Sequence, residues 1–430
     1  MRMRAADDLG SRLNIAALLL VLIIVPLASG TEMHVILPRA GVAVAMVAMF
    51  VFNVRFKSPG VVMRLFLWLG LIWFLYGGIG LLWAPSLATG SKQLIAIFIG
   101  IASSVVIATL IPSSDMAVNW ARKAWIVAFL ITIPIAVHEI RTDQHRPSSV
   151  VEHVESGGAQ SVAGKFAAVT FGNRNNYASF ICMVFPAVLI EAISSRKAVL
   201  VLVYFGIAAT ALVLVAIDAS RLGIVTLVLQ LMVVWWLAGK NKTFLFRVLA
   251  ISLLIAGYLA VAASQYTQIK LESTVSGDDQ SLAQRFEYSL RGLQLAADSG
   301  GMGVGAGGYN QDAANGLLES AHDVWVEIAA DYGVIIFTGM VFVLLLGLRR
   351  LHKAVFAARR LHHQFHPDAL YGFLLAISLP GIGVMNSSCI TSAQFWAMIG
   401  MVVGLASIVE IPSSSFAYRV PVGSFQEESY

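Results

Sequence analysis

The sequence predicts an all-α, polytopic membrane protein with about 12 transmembrane helices and a partly helical region on one outer face. Three observations lead there. Of the 430 residues, 58% are hydrophobic and only 12% are charged, with a mean hydropathy of +0.79. A soluble domain sits near half apolar and a quarter charged, so this chain has too little charge to cover a water-facing surface. Backbone in lipid must satisfy its own hydrogen bonds, which leaves helices or closed barrels. The apolar runs here are continuous, about twenty residues long and rich in Leu, Ile, Val and Ala, as membrane helices require. Barrel strands would instead alternate over about ten residues.

Taken in order, the runs place spans at about 13–30, 34–53, 64–84, 93–112, 121–138, 176–194, 198–217, 221–238, 245–264, 322–348, 370–386 and 393–411. The first follows Arg2, Arg4 and Arg12 and looks like a signal peptide. More spans follow at once, so a retained signal-anchor helix is expected. An even count puts both termini on one side. That side carries Arg2, Arg4, Arg12, Arg55, Lys57, Arg64, Arg122, Lys123, Arg196, Lys197, Lys240, Lys242, Arg247, Arg349, Arg350, Lys353, Arg359, Arg360 and Arg419, which is 19 of the 29 Lys and Arg. Seven of the other ten lie in two long loops, where the positive-inside rule has little force. The N-terminal side is therefore expected to be cytoplasmic.

The chain then divides into helices 1–5 over 1–138, a loop over 139–175, helices 6–9 over 176–264, a large loop over 265–321, and helices 10–12 with a cytoplasmic tail over 322–430. Loops this long are usually functional or disordered. The first, near His138, His145 and His153 with a Ser-Gly-Gly stretch, is expected to be partly mobile. In the second, Leu282, Phe286, Leu290, Leu293 and Ala297 recur at helical spacing. This predicts an amphipathic helix over Ser281 to Asp298 that lies along, or dips into, the membrane surface. Cys182 and Cys389 stand alone in or beside apolar runs, with no ligand or partner at suitable spacing, and read as packing residues. The net charge of +5 follows from loop distribution across a membrane and does not point to nucleic acid.

Charge is nearly absent from the expected spans; Arg39, Glu139, Glu191, Asp218 and Glu410 fall near their ends. Ion-coupled transporters usually keep such groups at mid-membrane, so that class loses weight. The polar interest lies at the outer border. In Asp218-Ala219-Ser220-Arg221, Ser220 can cap the helix that Arg221 begins. Free N–H groups beside an arginine suit a phosphate; the alternatives are a headgroup anchor or a pair with Asp218. Arg285 flanks the stripe of the amphipathic helix and either points into a cavity or meets lipid phosphate. Arg291, six residues on, lies on another face. His322 follows Ser320, a plausible cap, and so falls in the first turn of a span, where the macrodipole favours a neutral ring able to accept a proton. A plain interfacial histidine is the alternative. Asp323 and Glu327 lie four apart beside it and are placed to hold the ring or a substrate hydroxyl. Gly303 to Gly308 matches G-x-G-x-x-G, but without a preceding strand or a following helix; it reads as flexible backbone beside a site, or a turn. Asp278-Asp279 has no third metal ligand and reads as a turn.

Four pieces, in order, resemble the O-antigen ligase and polymerase superfamily over about 170–345: Phe171 to Ala178 opening a span, Ser220-Arg221 between spans, Arg285 before Gly303-Val304-Gly305, and His322-Asp323 followed by Asp331-Tyr332-Gly333. The family usually has Gly-Asn-Pro-Asn at the first and His-Asn at the last; here Arg174 and Asp323 stand instead. The resemblance implies a GT-C-like membrane glycosyltransferase of the bacterial inner membrane with a periplasmic active site. Its donor would be undecaprenyl-diphosphate-linked O-antigen and its acceptor lipid A-core, both reached from membrane lipid, without metal or other cofactor and with inversion. It implies His322 as base and Arg221 and Arg285 on the diphosphate, with Asn173, Arg174, Asn175 and Asp323 as secondary candidates. A polysaccharide polymerase is the close alternative, and a lipid-linked glycan flippase or exporter the alternative from another class. Sugar, acceptor hydroxyl and oligomeric state are not legible.

Overall fold

The computed structural model describes residues 15–24, 27, 59–114, 116–145, 153–156, 159–162, 166–237, 251, 257–258, 280–310, 322–362, 367–385 and 389–409. The helices in chain order are α1 (Ile15–Ile24), α2 (Val61–Gly80), α3 (Leu87–Leu110), α4 (Ala117–Thr142), α5 (Arg174–Ser194), α6 (Ala198–Ile217), α7 (Arg221–Leu237), α8 (Gln280–Asp298), α9 (Val324–His362), α10 (Pro367–Met385) and α11 (Ala393–Ile408). A small antiparallel hairpin, β1 (His153–Ser156) with β2 (Ala159–Val162), lies between α4 and α5. Ten of the twelve expected spans coincide with these helices. Seven of the ten are long and apolar enough to cross a membrane, and α1, α7 and α11 are shorter apolar helices. The expected spans at 34–53 and 245–264 fall outside the described residues, apart from helical positions at 251 and 257–258.

Helix α5 is the axis of one half of the bundle, buried at every residue from Tyr177 to Ile193. It packs against α4, α6, α7 and α10, while α2, α3, α9 and α11 form the other half. Lipid provides no hydrophobic force between helices, so small residues and polar ties carry the association. Gln230 donates to the Cys182 carbonyl at 3.0 Å and to Ser378 Oγ at 2.6 Å. Ser104 Oγ donates to the Trp396 carbonyl at 2.6 Å. Both cysteines are buried and unpaired with each other, as packing residues should be.

Helix direction alternates, giving the bundle two ends. At the lower end Arg122 of α4 binds Glu191 of α5 at 2.8 Å and also Asp368 of α10. The upper end gathers the C-termini of α2, α4, α6 and α10 with the N-termini of α3, α5, α7, α9 and α11. Several boundaries differ from the sequence reading. Ser86 accepts from the Thr89 N–H at 3.3 Å and so starts α3 six residues before position 93. Helix α4 runs through His138 and Glu139 to Thr142 rather than ending at 138. The basic run from Arg349 to Arg360 continues α9 instead of forming a loop.

Helix α9 is longer than a bilayer needs. Its apolar part, Val324–Ala357, has 34 residues, or about 50 Å at 1.5 Å per residue, against about 30 Å of hydrocarbon. It breaks at Gly333, where φ is 77° and ψ is 175°. Below the break α9 runs antiparallel to α2, with Gly339 against Leu69 and Gly347 against Val62. Above the break, Val324–Tyr332 crosses the top of the bundle. Trp325 meets α10 by donating to Pro380, and Tyr332 meets Trp73 of α2 and Gln93 of α3.

Candidate functional site

The upper end of α10 reads Pro380-Gly381-Ile382-Gly383-Val384, and its two glycines let neighbours approach its backbone. A side chain on Gly381 would start 2.9 Å from Thr226 Oγ1 and 3.8 Å from Leu222 Cγ, so the first turn of α7 lies against it. One on Gly383 would start 2.5 Å from Trp325 Nε1 and 2.7 Å from Val324 Cγ1, so the start of α9 lies there too. The Trp325 indole donates to the Pro380 carbonyl at 3.2 Å, and Arg285 of α8 donates to the Val384 carbonyl at 3.4 Å. Arg221 immediately precedes Leu222, and His322 precedes Val324 by two. These five residues of α10 are thus the shared neighbour of the three chain segments that carry Arg221, Arg285 and His322.

His322 does not occupy the first helical turn. Asp323 is the cap: its Oδ1 accepts from the N–H groups of Trp325 at 3.0 Å and Val326 at 3.3 Å. Burial raises the Asp323 carboxyl above its ordinary range, opposed by those two donors. His322 sits one residue before the cap at φ 48°, a left-handed conformation uncommon for a residue with a side chain. The helix N-terminus is therefore served by a carboxylate, and the macrodipole argument for the ring applies first to Asp323. Ser320, expected as the cap, lies outside the described residues, as does Asp278-Asp279.

Asn173, Arg174 and Asn175 belong to a second cluster of the upper end. Asn173 caps α5, accepting from the Asn175 N–H at 2.7 Å. The strap before it, Phe166 to Phe171, is buried, and two carboxylates hold its backbone. Glu139 accepts from Ala168 and Val169, each at 2.8 Å, and Asp218 accepts from Ala167 at 2.8 Å. Val169 and Ala219 both have positive φ, 53° and 51°, so this anchoring holds strained backbone in place. The buried Arg174 guanidinium lies 6.0 Å from the Phe166 ring centre; His145 stacks on the same ring at 4.1 Å. Burial raises the Asp218 carboxyl well above its ordinary value, and nearby Glu139 adds to this; the Ala167 N–H and the Arg174 charge oppose it. Part of the 139–175 loop is thus a packed element of the fold.

The reading that charge is nearly absent from the spans is corrected by α9. Glu327 and Asp331 are both buried in it. Gln93 donates to Glu327 Oε1 at 3.2 Å and to Asp331 Oδ2 at 2.9 Å, while Tyr332 donates to Gln93 Oε1 at 3.0 Å. Glu327 therefore faces α3. The glycine-rich segment, read from sequence as flexible backbone or a turn, is a run of turns that forms a hydrogen-bonded clasp. At the Gly333 break, the Val334 N–H turns to the Gly301 carbonyl at 2.9 Å. The orphaned carbonyls of Ala330 and Asp331 accept from Val304 at 2.8 Å and Gly305 at 3.1 Å. The Asp331 carboxylate closes the loop, accepting from Gly307 at 3.2 Å and Tyr309 at 2.8 Å. Trp83 and Tyr76 donate to the carbonyls of Gly303 and Met302 at 3.1 and 2.5 Å. Three backbone groups freed at the break, the Val334 N–H and the carbonyls of Ala330 and Asp331, thus find partners in this segment, as irregular backbone at membrane depth requires. Sequence reasoning missed the role of these residues, although Asp331-Tyr332-Gly333 carried a signal: two hydrogen-bonding side chains and a glycine inside an apolar helix.

Residues 206–343 match the family model described as O-antigen ligase. The matched stretch is about a third of the chain and includes Arg221, Arg285, His322 and the clasp. No curated protein matches the chain. The chain thus resembles the O-antigen ligase and polymerase superfamily, on its motifs and on this match, as a multi-pass, glycosyltransferase-like membrane protein.

Proposed function

We propose that this protein is an O-antigen ligase, transferring glycan from undecaprenyl diphosphate to lipid A-core at the periplasmic face of the inner membrane. The observation that carries the reading is the approach of three separate segments, bearing Arg221, Arg285 and His322, to Pro380–Val384. The charge distribution along the sequence supports assigning that end to the periplasm.

In the reaction the acceptor hydroxyl oxygen attacks the anomeric carbon. The bond from that carbon to the diphosphate oxygen breaks, and the hydroxyl proton passes to His322. Undecaprenyl diphosphate leaves with the electron pair, and attack opposite to it inverts the centre. Leaving-group charge is the main barrier outside the cytoplasm, where no nucleotide drives the step. Arg221 and Arg285 supply fixed positive charge for it, an electrostatic contribution that commonly reaches about 10²–10³ in rate per donor. His322 acts as general base. Asp323 holds the backbone that follows His322, and Asn173, Arg174 and Asn175 order the neighbouring end of α5.

The deciding experiment is a lipopolysaccharide gel of a deletion strain complemented with wild type or His322→Ala. Ligase loss leaves bare core and polymer stranded on its carrier, with His322→Ala unable to restore attachment. Core carrying a single repeat would instead identify a polymerase. Undiminished attachment with His322→Ala would remove the enzyme reading and favour a flippase or exporter.

A further inference from the structure

Helix α8 has three faces, and among the described residues one of them is packed against α9 while the other two are exposed. At about 100° per residue, Arg285, Gly292 and Leu295 share one sector. Gly292 lies so close to α9 that an added Cβ would come 2.3 Å from Val326 Cγ1, and Leu295 is buried. Glu287, Gln294 and Asp298 share a second sector within about 40° of one another, and all are exposed. Phe286, Leu290, Leu293 and Ala297 share a third, within about 60°; its large side chains are 72%, 46% and 54% exposed. A helix meeting only protein and water would have no use for this third face.

The chain that follows α8 leads to an exposed apolar strip on α9. Just past α8, Gly301 rests on α9, where its added Cβ would lie 3.3 Å from Val334 Cγ1. Met302, Val334 and Ile335 are exposed there, and Phe342 and Leu345 carry the exposed apolar strip down the same helix. We propose that α8 is a bilayer-surface helix whose Phe286, Leu290 and Leu293 insert among phospholipid acyl chains, while Glu287, Gln294 and Asp298 face water and Arg285 faces the protein. The partner is the bilayer itself, through about three large side chains and the headgroup layer above them. This seating sets the depth of Arg285 at the headgroup boundary. It rests on the membrane fold alone and stands whether or not the protein transfers glycan.

The test uses the full chain with single substitutions Phe286→Cys, Leu290→Cys, Leu293→Cys, Glu287→Cys, Gln294→Cys and Asp298→Cys. Each is spin-labelled and reconstituted in phosphatidylcholine–phosphatidylglycerol vesicles. Cys182 and Cys389 are buried, so the unsubstituted chain supplies the background. Labels at 286, 290 and 293 should collide several-fold more with dissolved oxygen than with a water-soluble nickel chelate, and labels at 287, 294 and 298 should show the reverse. A nickel preference at all six positions would place the face in water. Shielding of the first three from both reagents would mean that protein, such as a second copy, covers it. Either result overturns the proposal. A polarity-sensitive fluorophore on the same cysteines, blue-shifted at 286, 290 and 293 only, checks any variant whose spin label disturbs packing.

Discussion

Gly303 and Gly333 stand backbone to backbone: a Cβ on Gly303 would lie 2.6 Å from the Gly333 nitrogen and 2.6 Å from the Asp331 carbonyl oxygen. The contact joins a loop to a helix thirty residues later and makes the break in α9 possible. Both glycines have positive φ, 83° and 77°, and Gly333 pairs it with an extended ψ that only glycine adopts readily. The upper part of α9 can therefore turn across the bundle and bring Val324 and Trp325, which follow His322, against α10.

Gly333→Ala and Gly303→Ala should both destabilise the protein. Backbone strain alone costs about 1–3 kcal/mol, and neither clash can be relieved by moving a flexible side chain. We expect a lower thermal midpoint in detergent, with Gly301→Ala, which meets only Val334 side-chain atoms, milder than either. Equal midpoints for Gly301→Ala and Gly333→Ala would contradict the clasp.

Asp218 should make stability depend on pH in a defined direction. Its folded-state carboxyl titrates well above the ordinary 3.8, so the folded state holds a proton that the unfolded chain has released. Stability should fall as pH rises from about 4 through the folded-state value. Asp218→Asn keeps an acceptor for the Ala167 N–H and should flatten this dependence. Asp218→Leu leaves that N–H buried without its acceptor and should cost about 1–3 kcal/mol at every pH. Unfolding midpoints from pH 4 to 8 for the three proteins check both statements; a wild-type curve parallel to that of Asp218→Asn would refute the first.

Arg285→Lys and Arg221→Lys should each lower glycan transfer while leaving the protein folded, because an ammonium keeps the charge but loses the planar fork that engages a diphosphate. Replacement by Ala should lower the rate further, by about 10²–10³. A reconstituted transfer assay with lipid-linked donor measures the losses. Full activity in Arg285→Ala would remove that residue from the site.

The membrane class, the helical segments and the amphipathic character of 281–298 were legible because they are local. Hydropathy over about twenty residues, or an apolar residue every third or fourth position, needs no knowledge of neighbours. The ionic side chains show the contrary case. Glu139, Asp218, Glu327 and Asp331 look alike in sequence, as single acids at the ends of apolar runs or within them. Two of them hold the 166–171 strap, and the other two bind a glutamine 234 and 238 residues away. His322 was legible as a candidate, but its place before the cap was not, since Ser320 and Asp323 are both good caps and only the conformation of the chain selects between them.

By itself the sequence determined that the chain lives in lipid and which of its runs are helical, and it placed two arginines and a histidine near span ends. Burial in a low-dielectric solvent and charge counts along the chain suffice for that. Only the tertiary structure decided that the segments carrying Arg221, Arg285 and His322 meet at Pro380–Val384, and that a glycine clasp breaks α9 to let them do so. Helix packing depends on which small residues face each other across hundreds of positions, and no local pattern records that.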